Sequence, residues 1–150
     1  MPSISTRPLD PQEQAGIAQA TAWANDVLAR GFKSDTRLTG SRQDIPTLHS
    51  LLSKGPFGSD ATSELTVFGT VFGEILAAEI PMKWVVYQDE HGSDFALQFQ
   101  DLALFVFPRD MILKRVEKGE NIEHINLEVM LEEIRKTVQN DAQNVSRRVT

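Results

Sequence analysis

The chain contains no cysteine, which excludes a disulfide framework, thiolate metal sites and cysteine nucleophiles together and fits a reducing compartment. It also lacks a basic footprint. Fifteen Lys and Arg stand against 21 Asp and Glu, a formal net charge of −6 that is spread over both halves of the chain. Proteins that track phosphates carry clustered positive charge, so nucleic acid is not an expected partner, whereas an acidic surface suits a basic protein. No apolar run is long enough to span a bilayer, and Met1 to Pro11 has no apolar stretch of a secretory leader. The expectation is a cytoplasmic protein with no membrane partner.

Signatures of catalysis are missing too. There is no G-x-S-x-G elbow, and Gly55-Pro56-Phe57-Gly58 contains a proline and leads to no Lys-Ser/Thr pair, so it is not a phosphate loop. His49, His91 and His124 stand apart from one another and lack the ligand spacing that chelation needs. Glu74 and Glu79 would serve acid–base chemistry only if buried, and a solvated helix face explains them more simply. No catalytic residue, metal site or cofactor is assigned, and a non-catalytic protein is expected.

What is present is an ordinary globular composition, 41% hydrophobic and 24% charged over 150 residues. A chain of this size suits one domain that buries roughly 68–70% of its unfolded surface. Residues 1–9 read as a flexible arm, 10–139 as a single α+β domain and 140–150 as a polar tail. Asp10-Pro11-Gln12-Glu13 predicts a capped helix start. Ile17, Ala20, Trp23 or Ala24, Val27 and Leu28 then recur at helical spacing, with Gly31 as a left-handed stop. Asp44 is placed to cap a second helix carrying Ile45, Leu48, Leu51 and Leu52, ended by Gly55-Pro56, with Gly58-Ser59-Asp60 prolonging the break. A third, from about Ala61 to Glu79, buries Leu65, Phe68, Phe72, Ile75, Leu76 and Ile80. Gly69 and Gly73 lie beside that stripe. Each glycine costs a helix about 1 kcal/mol relative to alanine, so the pair predicts a close approach by another element.

After Pro81 the apolar period changes from 3.6 to 2, and three strands of an antiparallel meander are predicted between Lys83 and Phe107. Two tight turns, residues 89–92 and Gln100-Asp101, pair Val86 with Phe95, Trp84 with Leu97, Phe99 with Leu102 and Leu97 with Leu104. Trp84, Val86, Phe95, Leu97, Phe99, Leu102, Leu104 and Val106 then share one wholly apolar face. The other face is mixed, with Tyr87, Phe105 and Phe107 at its apolar end, and needs a cover. Two C-terminal helices follow and are expected to pack on one sheet face. The first runs from Pro108 to Lys118 with Gly119 as its stop. The second runs from about Asn126 to Gln139 and carries Leu127, Met130, Leu131, Ile134 and Val138.

The densest charge cluster is Lys114-Arg115-Val116-Glu117-Lys118-Gly119-Glu120. It reads either as a helix end whose cations complement the macrodipole or as a clamp for an anion. Trp84 to Leu97, with Trp-Val-Val and Asp-Glu-His-Gly-Ser-Asp-Phe-Ala-Leu, resembles one block of the bacterial family DUF3806. Val106 to Glu120, with Val-Phe-Pro, Met-Ile, Lys-Arg and Glu-Lys-Gly-Glu, is similar to another. Phe68-Gly69, Phe72-Gly73-Glu74 and Trp23-Ala24-Asn25-Asp26 resemble its upstream helices, so the likeness spans residues 15–135. The family has no established activity, so the resemblance implies no catalytic residues. It does draw attention to Lys114, Arg115, Glu117 and Glu120.

Two kinds of function remain. One is a binding module in which a protein partner or a second copy covers Tyr87, Phe105 and Phe107; an immunity-like inhibitor or chaperone of a basic protein is its narrower form. The other is a site for a small anionic ligand, binding or enzymatic, held by Lys114 and Arg115 with Glu117 beside them at residues 108–120.

Overall fold

The computed structural model describes residues 3–57 and 60–149. Met1 and Pro2 of the arm, Gly58 and Ser59 of the break between helices, and Thr150 of the tail lie outside the described residues. The fold is α+β, with five α-helices and one four-stranded antiparallel sheet of order β1-β2-β3-β4 among the described residues. The elements are β1 (Ser5–Pro8), α1 (Pro11–Asp26), α2 (Ile45–Lys54), α3 (Thr62–Glu79), β2 (Met82–Asp89), β3 (Gly92–Phe99), β4 (Phe105–Val106), α4 (Pro108–Glu117) and α5 (Leu127–Val149).

The start of α1 has the predicted capping box. Asp10 accepts from the Glu13 amide at 2.7 Å, and Glu13 accepts from the Asp10 amide at 2.9 Å. Its end departs from expectation. Gly31 does not take a left-handed stop; the last turn widens over Val27–Gly31, Phe32 donates to the Val27 carbonyl, and Lys33 adopts φ 51°. Asp44 is a second correction, because it makes no side-chain cap for α2. Its buried carboxylate instead turns back on the preceding loop and accepts from the amides of Thr39, Gly40 and Ser41. A buried carboxylate is tolerated only when its lone pairs are satisfied, and the loop supplies the donors.

The central element is α3, where Leu65, Phe68, Phe72, Ile75 and Leu76 are fully enclosed. Each such side chain contributes about 2 kcal/mol of apolar burial. Trp23 and Phe57 meet Phe68 edge-on at 5.4 and 5.0 Å. The two glycines have the packing reason the sequence suggested. A Cβ on Gly69 would lie 2.5 Å from the Pro108 carbonyl oxygen, and one on Gly73 would lie 2.6 Å from the Trp84 ring. Backbone of α4 and the indole of β2 therefore rest directly on α3, and Trp84 donates its indole N–H to Glu74 at 2.7 Å.

The β2–β3 register is as predicted, with Val86 opposite Phe95 and Trp84 opposite Leu97. The next hairpin is corrected by two residues. Leu97 faces Val106, not Leu104, and Phe99 donates to the Leu104 carbonyl, so Gln100 to Ala103 form a four-residue loop. Gln100 carries the φ of 53° that this loop needs. A slip of two keeps Phe105 and Val106 on their predicted faces, since alternation has period 2. It shortens the strand predicted from Leu102 to Phe107 to Phe105–Val106.

Among the described residues, the segments read as arm and tail both carry regular structure. The arm supplies β1, which pairs with β2 from Ser5↔Gln88 to Pro8↔Val85. Its four residues are all exposed, so backbone pairing and Leu9, buried with Ile17 and Val86, hold it. The tail continues α5 to Val149. Extending a docked helix is far easier than nucleating one, and Ala142, one turn beyond the buried Val138, also packs on the core.

Candidate functional site: a groove centred on Phe107

On the mixed sheet face Tyr87 and Phe105 are diagonal neighbours across Ala96. Their rings meet edge-on at 5.0 Å, and Tyr87 meets Phe107 likewise at 5.2 Å. Ala96, between them in register, is fully buried. The aromatic trio thus forms its own partial cover, with each ring left partly exposed. Desolvation, with the Asp89 carboxylate nearby, holds the Tyr87 phenol above its ordinary pKa, so it stays a neutral hydrogen-bond donor at physiological pH.

Two hollows open on either side of Phe107. One, of 450 Å³, is bounded by Tyr87, Asp89, His91, Asp94, Asp110 and Lys114. The other, of 490 Å³, runs between β4 and the middle of α5. Val106, Met111, Ile134 and Val138 give it an apolar floor, and Glu133 and Asp141 rim the far wall. Phe107, Asp110 and Lys114 border both hollows, so the two adjoin in a grooved surface that reaches from the β2–β3 turn to α5. Carboxylates outnumber cations along it.

The structure brings Tyr87, Phe105, Phe107 and Lys114 together in this groove. It leaves the other two sequence candidates elsewhere. Arg115 turns to Glu120, with its guanidinium 3.3 Å from both carboxylate oxygens, across the left-handed stop at Gly119, φ 94°. Glu117 is exposed and borders neither hollow. The charged corner after Phe107 therefore splits, Lys114 toward the groove and Arg115 toward the helix end. Sequence reasoning missed Asp110, Glu133 and Asp141. Glu133 lies inside the helix the sequence predicts, and Asp141 lies just past its expected end at Gln139.

Other candidates have structural partners. Glu79 meets Arg135 at 3.5 Å, and Arg42 bridges Glu128 and Glu132, which ties α5 to the 42–45 region. His49 lies 3.1 Å from the Glu123 carbonyl, and His91 sits in the β2–β3 turn beside Glu90. Among the described residues no group of three or more His, Cys, Asp or Glu side chains is placed to hold a metal ion. No helix among them is long and apolar enough to cross a membrane.

These elements define a small α+β domain, an antiparallel sheet braced by helices with an acid-rimmed aromatic groove at the β4 edge. The chain belongs to the DUF3806 family, a domain of unknown function whose model matches residues 44–127, more than half of the chain. No curated protein sequence matches it. The fold resembles a crystal structure from Bacteroides thetaiotaomicron VPI-5482 determined at 1.50 Å resolution. That likeness has a TM-score of 0.67 and 19% identity over 80% of this chain and 44% of the other. The chain thus spans less than half the length of that protein, and the likeness shows the fold alone.

Proposed function

We propose that this domain is a non-catalytic protein-binding module and that the Phe107 groove receives a segment of a basic partner. The observation that carries the reading is the groove itself. Its walls hold three partly exposed aromatic rings and an apolar floor, with Asp110, Glu133 and Asp141 around them. Aromatic anchors inside a polar rim are the usual anatomy of a recognition surface, and the rim's charge matches the −6 of the whole chain. An inhibitor or chaperone of a basic protein would use the same groove. The anionic-ligand reading has less support, because Arg115 is held by Glu120 and Lys114 stands among carboxylates.

Glu133 and Asp141 are exposed, so reversing them leaves the core untouched. Immobilised wild-type chain and a Glu133→Lys/Asp141→Lys variant are each used to capture proteins from a lysate of the parent organism. The expected outcome is a small set of basic proteins held by the wild type and released by the variant. Identical capture by the two would remove the groove as the binding surface.

A further inference from the structure

We infer that the partner binds by strand addition: an extended basic segment pairs with the outer edge of β4 through the main chain of Phe105, in the channel between β4 and α5. This rests on the binding reading above and specifies its mode.

The backbone register makes the edge available. In an antiparallel ladder successive residues turn their N–H and C=O alternately to one neighbour and the other. Phe99 donates to Leu104, so Leu97 and Val106, two residues further along each strand, exchange the next pair of bonds. The same parity follows from the tight turn that closes β2–β3 at Asp89↔Gly92, which directs Asp94, Ala96 and Gln98 to β2 and Leu97 to β4. Phe105, opposite Gln98, therefore turns its N–H and C=O away from β3. The strand order leaves β4 at the edge of the sheet, and no turn, loop or cap bond among the described residues engages the Phe105 main chain.

The surroundings specify the occupant. The 490 Å³ hollow runs along Leu104 to Phe107 with α5 as its outer wall. A strand lying there would be hydrogen-bonded on one side and packed on the other, the arrangement by which peptides extend sheets. Alternate side chains of such a strand point to opposite faces. One set would meet Ile134, Val138 and Met111, and the other would reach the aromatic trio and the acidic rim. Glu133, Asp141 and Asp110 against Lys114 make that rim net negative, so lysine or arginine alternating with apolar residues is the matching pattern.

The test uses a fluorescent peptide of alternating Lys and Val, a backbone N-methylated version of it, and the full chain as wild type, Phe105→Ala and Phe105→Pro. Alanine removes the ring and keeps the outward N–H; proline removes both. Fluorescence anisotropy should show wild-type binding that weakens about tenfold on N-methylation of the peptide, the loss of roughly one main-chain hydrogen bond. Phe105→Pro should bind about tenfold more weakly than Phe105→Ala for the same reason. Binding that is lost with Glu133→Lys/Asp141→Lys but indifferent to N-methylation and to proline would overturn strand addition while leaving the groove as the binding surface. A basic peptide that does not bind at all would overturn both. Sedimentation showing a dimer whose formation shields the Phe105 amide from exchange would overturn the basic partner in favour of a second copy.

Discussion

The sheet has two unlike edges. At β1 the same alternation turns Thr6 and Pro8 outward, since Ser5 and Arg7 face Gln88 and Val86. Pro8 has no N–H to offer, and its carbonyl already accepts from the Arg7 guanidinium at 3.1 Å. Arg7 is in turn clamped by both Glu13 oxygens at 2.8 and 2.9 Å. Proline and a fixed charge are devices by which sheets avoid pairing with other chains. At β4 neither device is present; Phe105 faces a groove with an apolar floor. The contrast teaches that this fold spends residues on closing one edge and leaves the other open, which is why the open one is the better candidate for recognition.

The largest effect expected from probing that contrast is at the rung next to the open one. Val106→Pro removes an N–H bonded to β3 and a buried side chain, so it should cost about 3 kcal/mol or more. Phe105→Pro should be no more than about 1 kcal/mol worse than Phe105→Ala, because the N–H it removes faces the groove. Urea midpoints of the three variants decide the matter. Equal losses for the two prolines would mean that β4 has no free edge.

A second, smaller effect concerns how the edge is held in place. The corner Phe107-Pro108-Arg109 rests on Gly69, where an added Cβ would meet two carbonyl oxygens at 2.5 and 2.8 Å. These are backbone atoms that cannot rotate away. Gly69→Ala gains about 1 kcal/mol of helix propensity and loses more to overpacking. The net expectation is about 2 kcal/mol of destabilisation, read as a lowered urea midpoint with an unchanged slope. A neutral outcome would show that α4 can shift off α3 freely and that the groove is not held in a fixed shape.

Much of this was legible in the residues, and the exceptions have physical reasons. The helical stripes, the Asp10–Glu13 box, the β2–β3 register and the packing role of Gly69 and Gly73 follow from local spacing. What escaped depends on partners distant in sequence. β1 has four exposed residues and two flanking constraints, a proline and a cap, so only its pairing with β2 makes it a strand. The Gln100 to Ala103 loop contains apolar Leu102 and Ala103, which mimic a strand until the ladder shows where bonding resumes. The groove joined two separately read features, the aromatic face and Lys114, because β4 and α4 are contiguous. Its acidic wall takes Glu133 from inside the predicted helix and Asp141 from the part of α5 that looked like a tail. The anion clamp rested on helical neighbours Lys114 and Arg115 acting together, and adjacent residues on a helix point about 100° apart.

The smallest effect tests the closed edge. The Arg7 guanidinium, with the Asp10 amide, pushes the Glu13 carboxyl down to about 2 from an ordinary 4.5, while Arg7 is raised and stays charged throughout. A carboxyl whose folded pKa is depressed adds stability above its unfolded pKa and loses it as pH falls through the folded one. The clamp should therefore contribute in full above about pH 4.5 and fade as pH falls toward about 2. Arg7 is exposed and Glu13 only half-buried, so water and salt screen the pair and the contribution is small and salt-sensitive. Amide exchange at Ser5 and Arg7, whose N–H groups pair with β2, reads it without interference from the rest of the fold. Wild type should protect these amides better than Glu13→Gln near neutral pH, and the advantage should shrink below about pH 4.5 and disappear near pH 2. An advantage that persists unchanged at pH 2 would mean that backbone pairing and Leu9 alone close the edge, with the Arg7–Glu13 pair incidental to it.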